Sequence, residues 1–181
     1  MLKIESSLLV VIDVQGKLAK LMHDGHYLRH VQGMMKAAKM LDIPIVMTEQ
    51  APEKIGATIE EIRALAPDVR PIAKQTFSSC GEPAFMEAVK RLRRKQIIVV
   101  GIEAHVCVYQ TVRDFVKAGY EVYLAVDAVS ARTDVNKDIG VHRSEREGAV
   151  LTTTEMTITE WIQSTKHPKF REIMALLKEN K

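Results

Sequence analysis

The chain has 181 residues, 46% of them hydrophobic and 27% charged, with a formal net charge of +3. That length suits one ordinary domain able to bury roughly 70% of its unfolded surface, and the composition excludes collagen-like, disordered and disulfide-framework classes. Aromatic residues, at 5%, are too sparse for a base-stacking platform.

The longest apolar run, Leu8 to Ile12, is far short of the ~20 residues a membrane span requires. No basic-then-apolar stretch with a cleavage site opens the sequence, so no export signal is expected. Cys80 and Cys107 are the two cysteines, a usage that suits a reducing cytoplasm.

In chain order, Leu8 to Ile12 is continuous and rich in branched residues, which predicts a strand buried on both faces. Val31, Met34, Met35, Ala38 and Leu41 then share one helical face, and Pro44 to Met47 is a second strand. Glu53 to Asp68 reads as a loop with a short helix. A weaker strand covers Val69 to Ala73 and leads into Lys74. Phe85, Val89 and Leu92 mark a helix before the strongest strand, Gln96 to Val100, which Gly101 closes. Val108, Val112, Phe115 and Val116 mark the next helix, and Gly119 follows it as a C-cap. Val122 to Val126 is a strand. Asp134 to Gly148 is helical in length but polar, and Ala149 to Thr152 is a second weak strand. Phe170, Ile173 and Leu177 mark a last helix that Pro168 can open.

Strands alternating with helices imply parallel pairing through right-handed crossovers. The fold expected is α/β: one domain over residues 1–181, with a single doubly wound parallel sheet of about six strands in the order 3-2-1-4-5-6 and helices on both faces.

Such sheets bind ligands beyond the carboxyl ends of their strands, where strand order reverses. That rule selects Asp13 after the first strand, Lys74 after the weak edge strand, and Cys107 in the segment that follows Gly101. Each has an ordinary alternative: a loop cap, a solvated amine, a small buried hydrophobe. Taken jointly, the ordinary readings weaken and a nucleophilic set becomes a candidate. A helix N-terminus and a nearby lysine favour the thiolate, and a carboxylate can take the thiol proton.

Four segments carry a resemblance: Val11-Ile12-Asp13-Val14-Gln15, Thr48-Glu49-Gln50, Lys74-Gln75-Thr76-Phe77-Ser78 and Gly101-Ile102-Glu103-Ala104-His105-Val106-Cys107-Val108. In this order they resemble the isochorismatase-like cysteine hydrolase superfamily. The C-terminal His167-Pro168-Lys169-Phe170-Arg171-Glu172-Ile173 is similar to the subgroup of isochorismatase domain-containing proteins. The resemblance implies a catalytic triad of Asp13, Lys74 and Cys107. It also implies a cis peptide between Ile102 and Glu103, with an oxyanion hole made by the backbone N–H groups of Glu103 and Cys107. The reaction implied is hydrolysis of a small amide, carbamoyl or ureido compound through a Cys107 thioester, with Asp13 as base and acid and Lys74 stabilising charge.

Nicotinamidases of the superfamily bind a metal through histidines beyond the second strand. The corresponding Thr48 to Lys54 segment has none, so neither a catalytic metal nor another cofactor is expected. True isochorismatases lack the cysteine. Gln15, Gln50 and Phe77 are expected to line the substrate pocket.

Other signals have plainer readings. The basic run Lys90 to Lys95 falls in the last turns of a helix, where cations complement the macrodipole. His23, His26 and His30 have no partner set for zinc and are expected in solvent. Cys80 is either a packed thiol or a resolving thiol for Cys107. The partners expected are a small-molecule substrate and further copies of the chain, and neither nucleic acid nor a membrane. The alternatives are a binding, scaffold or redox-sensing protein on the same fold, and a nuclease, for which no metal-binding carboxylate cluster is evident.

Overall fold

The computed structural model describes residues 1–179. Six strands form one sheet: β1 (Ser7–Ile12), β2 (Ile45–Gln50), β3 (Ile72–Lys74), β4 (Gln96–Ile102), β5 (Glu121–Ser130) and β6 (Val150–Thr152). Every pairing is parallel, and the order is β3-β2-β1-β4-β5-β6, as the sequence pattern predicts. From β1 the chain winds outward to β3, then returns to lay β4 on the other side of β1. The carboxyl ends of β1 and β4 therefore flank the crevice where strand order reverses.

Among the described residues, eight α-helices flank the sheet: α1 (Tyr27–Met40), α2 (Pro52–Ile55), α3 (Glu60–Arg63), α4 (Pro83–Leu92), α5 (Tyr109–Lys117), α6 (Asp134–Arg146), α7 (Thr154–Ile162) and α8 (Phe170–Glu179). The period of two along β1 divides the core. Leu9 and Val11 join Met34, Met35, Trp161 and Ile173 beneath α1, α7 and α8. Leu8, Val10 and Ile12 join Phe85, Val89, Val112 and Phe115 beneath α4 and α5. Among the described residues, no helix is long and apolar enough to cross a membrane.

Strand ends shift by a few residues throughout, with β2 running on to Gln50 and β4 through Gly101 to Ile102, and three further differences have a physical cause. β3 starts at Ile72, because Pro71 has no N–H for the ladder and the Val69 N–H closes a turn onto the Ala66 carbonyl. β5 runs on to Ser130, beyond a register shift opposite Val99 and Gly101. α5 is preceded by a π-helical turn over Ala104–Val108, so Cys107 sits on a widened turn rather than at the start of a regular helix. The sequence reading also misses α7. Its buried Ile158, Trp161 and Ile162 have helical spacing, but they stand among threonines and glutamates.

Candidate active site

The sheet brings together three side chains from three strand ends. Asp13 follows β1 in the left-handed region, with φ of 51°, which Asp and Asn tolerate better than most residues. Its backbone N–H bonds to the Thr48 carbonyl at 3.2 Å. Lys74 ends the short β3, and Cys107 rides on the π-helical turn after β4.

Lys74 Nζ lies 2.7 Å from Asp13 Oδ2, with both side chains essentially excluded from solvent. The ammonium also donates to Gln50 Oε1 at 2.7 Å, to the Phe77 carbonyl at 3.1 Å and to the Thr76 carbonyl at 3.2 Å. A buried ammonium needs such partners, since an unpaired charge there would cost several kcal/mol. Thr48 Oγ1 donates to Asp13 Oδ1 at 2.7 Å, so both carboxylate oxygens have fixed partners.

Cys107 is 6% exposed, and its Sγ lies 3.9 Å from Gln50 Oε1. Burial first, then the Asp13 carboxylate, push its thiol up to about 12; Lys74 pulls the other way through its charge and a hydrogen bond. Burial and the carboxylate thus weigh against ionisation of the resting group. That direction runs against the expectation that a helix terminus and a lysine would favour the thiolate, because desolvation and the neighbouring carboxylate oppose both. The turn is anchored from below: Thr111 Oγ1 donates to the Cys107 carbonyl at 2.7 Å and accepts from the Ser79 N–H at 2.9 Å.

A cavity of about 110 Å³ opens over these groups, with Asp13, Gln50, Glu103 and Cys107 in its wall. The remaining wall is apolar: Leu18, Ile55, Phe77, Ile102 and Val106. The peptide bond between Ile102 and Glu103 is cis. Glu103 is nearly buried, and its Oε2 accepts from Arg132 Nε at 2.9 Å and from the Arg132 N–H at 3.3 Å.

The expected pocket residues part company. Phe77, 55% exposed, sits at the mouth, and Gln50 is in the wall. Gln15 is not. Its Oε1 accepts from the Gln50 N–H at 2.6 Å, and its Nε2 donates to the carbonyls of Gly56 at 2.7 Å and Gln50 at 3.1 Å. Gln15 is a fully buried brace between the β1 and β2 ends. The sequence reading misses Thr48 and the Glu103 side chain; a hydroxyl at the end of the strand beside Asp13 is the available signal. Leu18, Ile55 and Arg132 have no local signal, because loops remote in sequence bring them in.

The three histidines near the start of α1 include two that are not free. His23 Nε2 lies 2.5 Å from Asp134 and His30 Nδ1 lies 3.3 Å from Asp127, each imidazole about one-fifth exposed. Among the described residues, no three or more His, Cys, Asp or Glu side chains are grouped to hold a metal ion.

Known proteins share this architecture. The family model of the isochorismatase domain matches residues 7–156. Isochorismatase domain-containing protein 2 of Rattus norvegicus is 34% identical over 176 residues, covering 97% of this chain and 82% of that protein. A solved structure from Caenorhabditis elegans, described as MAR1 ribonuclease, has a TM-score of 0.92 at 34% identity, over 98% of this chain and 92% of that one. The YcaC gene product of Escherichia coli, described as an octameric hydrolase of unknown specificity, shares the fold with a TM-score of 0.87 at 22% identity, over 99% and 97% of the two chains. With a domain model spanning most of its length and relatives this similar end to end, the chain belongs to the isochorismatase family.

Proposed function

We propose that the protein is a cysteine hydrolase that cleaves a C–N bond of a small amide, carbamoyl or ureido compound through a thioester on Cys107. The observation that carries this reading is the buried set of thiol, carboxylate and ammonium beneath a small cavity, with Lys74 Nζ 2.7 Å from Asp13 Oδ2. Family membership supports hydrolysis as the reaction class.

The chemistry starts from the thiol. As Cys107 Sγ bonds to the substrate carbonyl carbon, its proton passes to the Asp13 carboxylate. The carbonyl π electrons move to oxygen, and the backbone N–H groups of Glu103 and Cys107 receive that oxyanion; one such donor is typically worth ~10²–10³ in rate. Collapse of the intermediate breaks the C–N bond, and Asp13 returns the proton to the departing nitrogen. Water then attacks the thioester with Asp13 again as base, releasing the acid and restoring the thiol. Lys74 holds the carboxylate in place and offsets negative charge throughout. Neither metal nor organic cofactor has a role in this scheme.

Self-association in a cytoplasmic setting completes the reading. Two observations support it: the free thiols of Cys80 and Cys107, and the exposure of Val135 and Ile139 on α6, at 71% and 54%. The test is ammonia release from a panel of amides and ureides. Cys107→Ala and Asp13→Asn should each lose activity by about 10³-fold or more, as removal of a nucleophile or its base does elsewhere. Full turnover by Asp13→Asn would overturn the scheme. A nuclease reading, prompted by the worm relative's description, is not favoured: a cavity of about 110 Å³ lies well below the roughly 300 Å³ at which pockets for drug-sized ligands begin.

A further inference from the structure

We infer that the group bound over Cys107 is a primary amide whose acyl part is uncharged, apolar and short, about three to five carbons. The chemistry assumed is the hydrolase reading above; the ligand class rests on the cavity itself.

Size comes first. An apolar cavity of ~150 Å³ takes one benzene, so about 110 Å³ holds only a few heavy atoms. A pocket that small favours a carboxamide with no substituent on nitrogen, so that the nitrogen departs as ammonia.

Charge comes second. The wall holds two carboxylates, and each already has its cation: Asp13 meets Lys74 at 2.7 Å, and Glu103 meets Arg132 at 2.9 Å. Lys74 is saturated by four oxygen acceptors. An anionic substrate would find no unpaired cation and two carboxylates facing it. A cationic substrate would have to displace one of two formed ion pairs, one of them buried.

Polarity comes third. Gln50 is the one neutral amide in the wall, and each of its ends already has a partner: Oε1 accepts from Lys74 and one Nε2–H donates to the Gln75 carbonyl at 2.9 Å. A second polar group at the far end of a ureido compound would meet Leu18, Ile55, Phe77 and Val106 instead. Leaving that group desolvated and unpaired costs about 1–3 kcal/mol, which is roughly a 5- to 150-fold loss of binding.

The mouth is built to keep this shape. Gly16, with φ of 42°, touches the Ile55 segment so closely that a Cβ would stand 2.5 Å from the Ile55 carbonyl oxygen. The Leu18 turn and the Ile55 turn thus close on one another.

The experiment reads ligand binding separately from turnover. Protection of Cys107 from iodoacetamide is followed by peptide mass mapping in acetamide, propionamide, butyramide and hexanamide, with succinamate, β-alaninamide and N-carbamoylglycine as charged and ureido probes; ammonia is assayed in parallel. Half-protecting concentrations should fall about four-fold per methylene up to butyramide, the worth of a buried CH₂, and rise again at hexanamide. The three polar probes should not protect. Leu18→Arg, at a half-exposed position, should make succinamate protect and weaken butyramide. Protection in this order without ammonia would leave the ligand class standing and overturn the hydrolase reading. Better protection by a charged or ureido probe, or none by any neutral amide up to its solubility, would overturn the inference.

Discussion

Thr48 Oγ1 donates to Asp13 Oδ1 at 2.7 Å, wholly out of solvent, and this bond decides which carboxylate oxygen faces Lys74. With Oδ1 held by the hydroxyl, Oδ2 is the oxygen 2.7 Å from the ammonium. Parallel pairing sets the contact, because Ile12 and Thr48 are register partners in β1 and β2. Thr48 is thus a positioning residue.

Thr48→Val keeps the shape and removes the donor. The buried Oδ1 then lacks a partner, so stability should fall by about 1–3 kcal/mol. A carboxylate free to turn should lower kcat/KM for amide hydrolysis by about 10- to 100-fold. Thr48→Ser restores the hydroxyl and should recover most of the rate. Equal losses in both variants, in urea titrations and in ammonia release, would make the contact a matter of packing alone.

The Asp13–Lys74 pair gives a non-additive prediction. Removing one member of a buried pair leaves an uncompensated charge, which typically costs 3–5 kcal/mol. Lys74→Met should therefore destabilise by about that much in urea unfolding. Asp13→Asn is the matching change, because Asn keeps the left-handed backbone that Asp13 adopts. The double variant should be more stable than Lys74→Met alone, although it is inactive. Additive losses would mean that the two charges do not depend on one another.

What is legible in the sequence follows from which forces are local. Continuous branched runs such as Leu8–Ile12 and Gln96–Val100 announce strands buried on both faces, and the alternation of strands and helices along the whole chain implies the parallel sheet and its order. The strand-end rule puts Asp13, Lys74 and Cys107 among the candidates, and the resemblance to a known family is what picks them out as a triad. What escapes depends on remote partners. Gln15 reads as a pocket residue because it follows Asp13, yet the Gly56 carbonyl and the β2 backbone hold it in a brace. α6 reads as ill-defined because its burial is achieved by Gly140 and Ser144, two residues with no hydrophobic signature. The upward push on the thiol escapes as well, because lysine and dipole are visible in a sequence, whereas desolvation is not.

That upward push leads to a prediction with a definite sign. Burial pushes the Cys107 thiol up to about 12, and burial with the nearby Asp114 carboxylate does the same to Cys80. In the unfolded chain each thiol ionises near 8.5. Between about 8.5 and 12 the folded chain therefore binds more protons than the unfolded one, and stability falls as pH rises. The full contribution is present below 8.5. Each cysteine steepens the loss by up to about 1.4 kcal/mol per pH unit. Unfolding titrations across this window should show a slope reduced by Cys80→Ala and again by Cys107→Ala. Alkylation of Cys107 should likewise lack a fast phase below pH 8.5 when no substrate is present; such a phase would mean the thiolate is already formed.

The turn that carries Cys107, anchored from below by Thr111, meets a glycine of α6 on another side. α6 crosses it at Gly140, where an added Cβ would stand 2.7 Å from the Ala104 carbonyl carbon and oxygen and from the His105 nitrogen. Those atoms are backbone, so they cannot swing aside as a side chain could. Gly140→Ala must lift α6 from the turn or move the turn itself, and Cys107 lies three residues beyond Ala104. Overpacking of this kind typically costs 1–3 kcal/mol. Its functional effect should be larger, because a displacement of about 1 Å at a reacting atom can cost ~10²-fold in rate. Asp138→Ala, on the exposed side of the same helix, controls for general loosening of α6 and should leave the rate unchanged. If Gly140→Ala lowers the unfolding midpoint but retains the rate of Cys107 alkylation and of ammonia release, α6 merely covers the turn and does not hold it in position.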